Sequence, residues 1–357
     1  MSGINVALVG IGNCASALIQ GVHYYRKVSG DEPIPGLLHT NFGGYHPVDI
    51  HFVAGFDIDA RKVGKDLSQA ILSEPNNTRI FCKVPTLEVE VMKGNVLDGV
   101  GKYVEPIIQV DPNTEAVNVA DVLQAKEVDV LVNYLPVGSD IATKWYAEQA
   151  LKAGCAFVNC IPSFIASVPS WQKKFENAKL PVAGDDVMSQ IGATVLHKTI
   201  AKLLVDRGVM LDESYQLNIG GDTDFLNMLE EERLVSKRES KTQAVQALIP
   251  YPIPLKIGPS DYIPFLNNTK ICYVWIKGKY FGDTPVRIDV KLDVTDAPNS
   301  GGVVIDAIRA VKLALDRGIS GPLTSISAYA FKHPPIQAPH EIAKRWVEEF
   351  INGARER

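Results

Sequence analysis

The sequence predicts an α/β protein of two lobes, a doubly wound parallel sheet followed by a smaller α+β lobe. Three observations predict it. An apolar strand runs straight into a glycine turn and a helix near the start, several later strands end in polar residues, and strict strand alternation appears only after about residue 210. With 357 residues, 46% of them hydrophobic, the chain is long enough for two cores at roughly 150 residues per domain.

Residues 4–9 read as a buried parallel strand delivered into Gly10-Ile11-Gly12-Asn13-Cys14-Ala15. Ala15, Leu18, Ile19 and Val22 then recur at helical spacing, so the turn opens a helix, as a dinucleotide-binding fingerprint of the Rossmann type requires. A second apolar segment, residues 51–56, ends at Asp57, where an acid would hold the ribose hydroxyls of NAD and repel a 2′-phosphate. The interval from Ala15 is longer than usual, so residues 29–47, punctuated by glycine and proline, read as an insertion. Strands follow at 128–135 and 156–159, the first leading through Pro136-Val137-Gly138-Ser139 into a helix. A short one ends at Gly184-Asp185-Asp186. In such sheets ligands bind beyond the carboxyl ends of the strands, which makes this rim the candidate site.

Residues 221–249 are helix-prone, 249–264 are proline-rich and read as irregular, and 270–277 and 287–294 read as antiparallel strands. An apolar stripe from Val303 to Leu315 predicts a helix stopped at Arg317-Gly318 that returns to the first lobe. The expected division is a dinucleotide-binding lobe over 1–200, completed by 298–357, and a catalytic and oligomerisation lobe over 201–297.

Composition excludes several classes of function. The formal charge is −5 and like charges do not cluster, which argues against a nucleic-acid partner. No apolar stretch is long enough to span a bilayer, and Met1-Ser2-Gly3 lacks a basic signal region, so the expected location is cytoplasmic. Five cysteines without CxxC spacing read as reduced thiols, the histidines show no metal-ligand spacing, and no Gly-x-Ser-x-Gly occurs. Lys237 and Lys241 stand one helical turn apart. Spacing alone favours a solvated basic face, whereas desolvation would lower the pKa of one amine and make it a proton carrier. Asp222, Asp224, Asp185 and Asp186 divide between turn chemistry and a carboxylate cluster.

Taken in order, Gly10 to Ser16, Asn133 to Ser139, Gly184-Asp185-Asp186 with Ser189-Gln190, and residues 217–227 resemble the myo-inositol-1-phosphate synthase family in its short bacterial form. Residues 236–242, Ala297-Pro298-Asn299-Ser300 and Ala328 to Lys332 extend the resemblance over nearly the whole chain. It implies cyclisation of glucose 6-phosphate by NAD-dependent oxidation at C5, enolisation, aldol closure and reduction, with a homotetramer built through the second lobe. It leaves open whether a divalent or a monovalent cation takes part. Carried over by position, Lys237 handles the proton of the oxidised hydroxyl, Lys241 stabilises the aldehyde oxygen, and Lys332 is a third catalytic lysine. Asn218, Asp222, Asp224 and Asp296 line the substrate pocket. Gly10, Gly12, Asn13, Cys14, Ala15 and Asp57 hold the cofactor, with Asn133, Pro136, Gly138 and Asn159 on its side and Asp186 and Ser189 near nicotinamide and phosphate. Three positions depart from the pattern. Asp222 replaces an Asn of eukaryotic relatives, Met188 replaces a lysine of many members, and Asp261 stands where longer relatives have a catalytic lysine, whose duty Lys270 is expected to take. A conventional NAD-dependent sugar or amino-acid dehydrogenase and a non-catalytic NAD-binding homologue are the competing readings.

Overall fold

The computed structural model describes residues 3–28 and 33–357; residues 29–32 of the expected insertion lie outside it. β1 (Ile4–Val9) leads into α1 (Asn13–Tyr25), β2 (Ile50–Asp57) into α2 (Leu67–Ala70), and β3 (Val91–Lys93) into α3 (Val119–Ala125). β4 (Val130–Asn133), α4 (Asp140–Ala153), β5 (Ala156–Asn159), α5 (Pro169–Asn177), β6 (Pro181–Ala183) and α6 (Ala193–Asp206) continue the alternation. Then come β7 (Met210–Gly220), α7 (Thr223–Asn227), α8 (Val235–Gln246), β8 (Leu255–Tyr262), β9 (Thr269–Tyr280) and β10 (Thr284–Thr295). The remaining elements are α9 (Asp296–Asp316), β11 (Gly321–Pro322), α10 (Thr324–Ala330) and α11 (His340–Ile351).

Seven strands pair in parallel in the order β11-β6-β5-β4-β1-β2-β3, a Rossmann-type arrangement whose direction of winding reverses between β1 and β4. The central strands are apolar on both faces because both are covered. Val6, Leu8, Val132 and Val158 pack with Leu18 of α1 and Val304 and Ile308 of α9. Ala7, Val9, Leu131 and Phe157 pack on the opposite side with Leu123, Tyr146 and Ala147 of α3 and α4. The apolar stripe is part of α9, which begins earlier than the stripe, at Asp296, and returns to the first lobe as expected. The close approach of the insertion to α9 requires Gly302, because a Cβ there would collide with the Gly36 carbonyl. Arg309, fully buried, donates to the carbonyls of His39, Thr40 and Tyr45 and so staples the described part of the insertion to α9.

The second sheet has the order β10-β9-β7-β8. β9 and β10 are antiparallel as anticipated; β7, a strand not anticipated, pairs antiparallel with β9, and β8 joins parallel to β7 within the stretch expected to be irregular. Prolines are compatible with β8 because it is an edge strand, where one row of N–H groups has no partner to serve. One sheet face buries Leu211, Cys272, Val274 and Ile276 with Ala193 and Ala201 of α6 and Val245 of α8. The helix-prone stretch is broken into α7, a 3-10 turn and α8, with the Asp222 side chain capping α7 through the N–H groups of Asp224 and Phe225.

Candidate active site

The crevice at the β1–β4 reversal deepens into a cavity of about 280 Å³. Its walls come from the loops after β1, β2, β4, β5 and β6 on one side, and from α7, α8, β9 and the start of α9 on the other.

The glycine turn is built for an anion. Gly10 adopts φ +84° with the Tyr134 carbonyl only 2.6 Å from where a Cβ would stand, so no other residue fits. Gly12 is the N-cap of α1; no side chain caps that helix, no acid occupies its first turn, and a Cβ on Gly12 would meet nothing within 4 Å. The free N–H groups and positive helix end therefore face the cavity, which fits a pyrophosphate. Asp57 Oδ2 accepts from the Ile11 N–H at 2.7 Å, and its Oδ1 accepts from Ile58 and Asp59 at 2.7 and 3.0 Å. The carboxylate is thus locked at the tip of β2. Arg61 is turned away onto Asp59 and the Ile107 carbonyl. Lys62, which the sequence reading did not single out, lines the cavity instead, 3.8 Å from Asp57 and bonded to Asn76. The Tyr134 hydroxyl is buried there with no hydrogen-bond partner among the described residues. These features fit NAD.

Four lysines converge here, Lys237, Lys241 and Lys270 from the second lobe and Lys332 from the segment after α10. Lys237 and Lys241 are both nearly buried, which resolves their spacing in favour of a desolvated pair. Lys237 Nζ donates to Asp224 Oδ2 at 2.7 Å, Lys270 Nζ to both oxygens of Asp296 at 3.2 and 3.3 Å, and Lys332 Nζ to Asp186 Oδ1 and the Val187 carbonyl at 2.7 Å each. Among the described residues Lys241 has no carboxylate within ion-pair distance. Burial, reinforced by the like charges of Lys237, Lys270 and Lys332, pushes its amine well below the ordinary lysine range. Burial also lowers Lys332, against the opposing pull of Asp186. For Lys270 burial pulls downward, but Asp296, Asp224 and Asp222 outweigh it and hold the ammonium above its usual value. Asp222 goes the other way: burial, then the charges of Asp296 and Asp224, raise it to about 7. Cys14 is raised to about 12 by burial and the same three carboxylates, which leaves it a neutral thiol.

The structure brings Gly10, Gly12, Asn13, Cys14, Asp57, Pro136, Asp186, Ser189, Asp222, Asp224, Lys237, Lys241, Lys270, Asp296 and Lys332 to this one cavity. Other residues expected at the site stand elsewhere. Asn133 and Asn159 are fully buried in an amide ladder, Asn133 Nδ2 bonding Asn159 Oδ1 and Asn159 Nδ2 bonding Asp185 Oδ1. Asp185 also accepts from the N–H groups of Ile165, Ala166 and Ser167, so it organises a loop rather than a ligand. Asn218 lies buried against Gln216, Ala15 faces the core, and Gly138 packs under Arg233. Met188 is buried, and Asp261 is exposed away from the cavity. Among the described residues no group of three His, Cys, Asp or Glu side chains is arranged to hold a metal ion. Two residues that spacing gave no sign of complete the framework. Ser240 donates to Asp186, and Asn268 donates to Asp222 while accepting from the Ala297 N–H at the start of α9.

Residues 192–297 match the family described as myo-inositol-1-phosphate synthase. The inositol-3-phosphate synthase of Mycolicibacterium smegmatis is 53% identical to this chain, across 98% of each. The chain belongs to the myo-inositol-1-phosphate synthase family. The inositol-3-phosphate synthase of Corynebacterium glutamicum is similar at 49% identity, again across 98% of each chain. Among solved structures, that of Ari2 is 33% identical with a TM-score of 0.79, covering 98% of this chain and all of that one. The myo-inositol-1-phosphate synthase-related protein of Thermotoga maritima shares the fold at a TM-score of 0.82 and 24% identity, over 98% of each. Inositol-3-phosphate synthases convert glucose 6-phosphate into inositol 3-phosphate and use NAD, so this family member is an isomerase with a cofactor site of the right form.

Proposed function

We propose that the lysine-lined cavity is where this chain cyclises D-glucose 6-phosphate to 1D-myo-inositol 3-phosphate. The observation that carries this reading is the meeting of four lysines and four aspartates at the cofactor crevice, with three lysines paired and Lys241 left over. The glycine turn and Asp57 would hold NAD, which would supply reversible hydride chemistry at C5 and so leave the reaction with no net redox change.

The remaining work falls to the chain. Lys237, joined to Asp224, receives the C5 hydroxyl proton and gives it back when the ketone is reduced. Lys241, whose amine burial and neighbouring lysines draw well below the ordinary lysine range, takes a proton from C6 to form the enolate. Once protonated it donates that proton to the C1 oxygen as the C6–C1 bond closes, so the same proton leaves carbon and ends on oxygen. Lys270 and Lys332, held by Asp296 and Asp186, supply fixed positive charge to the transient oxyanions in a site screened from water. Lys270 thereby fills the place of the lysine absent at Asp261. Ser189, at the approach to α6, is placed for the phosphate.

The division of labour largely follows the two lobes, the first holding cofactor and contributing Lys332, the second supplying Lys237, Lys241 and Lys270. The uncovered face of the second sheet, where Tyr215, Leu217 and Tyr273 are each more than a third exposed, supports association with further copies into a tetramer. None of the described helices is long and apolar enough to cross a membrane, which agrees with work in the cytoplasm. The test is incubation with glucose 6-phosphate and NAD, with and without magnesium or potassium ions. Inositol phosphate without accumulated reduced cofactor supports the reading; stoichiometric reduced cofactor points to a conventional dehydrogenase, and NAD binding without any product points to a non-catalytic homologue.

A further inference from the structure

Asp186 is the one carboxylate that ties the two lobes together at the lysine cluster. It follows β6 with φ +61°, an unusual conformation for a residue with a side chain. Its carbonyl accepts from the Lys332 N–H at 2.8 Å, and its Oδ1 accepts from Lys332 Nζ at 2.7 Å. The other oxygen, Oδ2, accepts from Ser240 Oγ at 2.6 Å. Ser240 is fully buried on α8, between Lys237 and Lys241, and belongs to the opposite wall of the cavity. Lys332 Nζ is also held by the Val187 carbonyl at 2.7 Å, so among the described residues Asp186 is one of its two acceptors and its one carboxylate partner.

We propose that Ser240 is a positioning residue of the cyclisation: its hydroxyl fixes the Asp186 carboxylate in the orientation that grips Lys332, and so sets where that ammonium stands relative to Lys237 and Lys241. The inference rests on the reading of the cavity given above. A hydroxyl donating to a buried carboxylate is a charge-assisted bond, stronger than a neutral one, and its loss leaves a buried oxygen unpaired. Lys332 faces Lys237, Lys270 and Lys241, which disfavour its charge, as well as Asp186, which favours it. Burial already draws its pKa down. A loosened Asp186 lets it fall further.

The experiment compares wild type, Ser240→Ala, Ser240→Cys and Ser240→Thr as NAD-loaded protein, with kcat, KM for glucose 6-phosphate, the pH profile and the melting temperature all measured. Alanine and cysteine lower kcat about ten- to a hundredfold, the loss of one bond to a charged group. KM changes little, and the alkaline limb of the kcat profile moves to lower pH as Lys332 gives up its proton sooner. Threonine, which keeps the hydroxyl, restores both the rate and the position of that limb. An alanine variant with wild-type kcat and pH profile overturns the proposal. So does a set in which alanine, cysteine and threonine lose activity in step with melting temperature while the profile stays fixed, because that is the behaviour of a packing residue. Wild-type protein that makes no inositol phosphate removes the reading of the cavity, and this inference with it.

Discussion

Replacing Lys241 by methionine should make the protein more stable and nearly inactive at once. The side chain is only 6% exposed, has no carboxylate within ion-pair distance among the described residues, and faces three other lysines. Removing it breaks no ion pair, and methionine fills a similar volume without a charge to desolvate. Replacing buried ion pairs by well-packed apolar groups is neutral or stabilises by about 1–4 kcal/mol, and a lone amine whose charge burial already disfavours falls toward the lower part of that range. At about 2–4 °C per kcal/mol, a rise of several degrees in melting temperature follows. The sign of the pH dependence is fixed by the same fact. A lysine whose folded pKa lies below the unfolded value of about 10.4 binds fewer protons in the native state, so wild-type stability climbs with pH between those two values. Lys241→Met lacks that climb. Denaturant melts across the neutral-to-alkaline range measure it directly, and kcat on glucose 6-phosphate should fall about 10²-fold or more with the loss of an acid–base group. A variant less stable than wild type at every pH, or one with undiminished kcat, would show that Lys241 is an ordinary paired ammonium and refute the reasoning.

Lys270→Ala should lose turnover by about 10²–10³-fold, the scale of one preorganised oxyanion donor, and full activity in a steady-state assay would remove Lys270 as the substitute for the lysine missing at Asp261. Asp222→Asn keeps a good cap on α7, so it should fold. With a folded pKa of about 7, Asp222 costs stability progressively as pH rises from about 4 toward 7, and the variant should show a flatter stability curve over that window in urea titrations. Gly12→Ala places its new Cβ in open cavity rather than in protein, so melting temperature should nearly hold while NAD affinity, read by calorimetry, falls sharply; unchanged affinity would move the cofactor elsewhere.

The first sheet was legible because its signals are local. Apolar strands covered on both faces alternate with helices whose stripes lie at the right spacing, and Gly10 and Gly12 punctuate the turn between them. β8 escaped notice because prolines at an edge strand look like a loop when pairing partners are unknown. β3 is three residues long and leaves almost no pattern. At the site, the spacing of Lys237 and Lys241 fixed their common face but not their burial, which depends on α6, α7 and the first lobe closing over α8. Asn133 and Asn159 sit at strand positions where a ligand contact and a buried amide network have the same sequence signature, and the structure joins them to Asp185 in such a network, while Asn218 accepts from Gln216. Ser240 and Asn268 carry no mark in the chain. A serine and an asparagine become site residues only when folding puts Asp186 and Asp222 opposite them.

The central claim is that a borrowed hydride goes back to the molecule it came from while lysines manage the protons. Glucose 6-phosphate carrying deuterium at C5, turned over by the NAD-loaded protein in ordinary water, tests it most directly. The account predicts inositol phosphate with the deuterium still on that same carbon and no reduced cofactor in solution. Deuterium found in released reduced cofactor, or an unlabelled product, would contradict it.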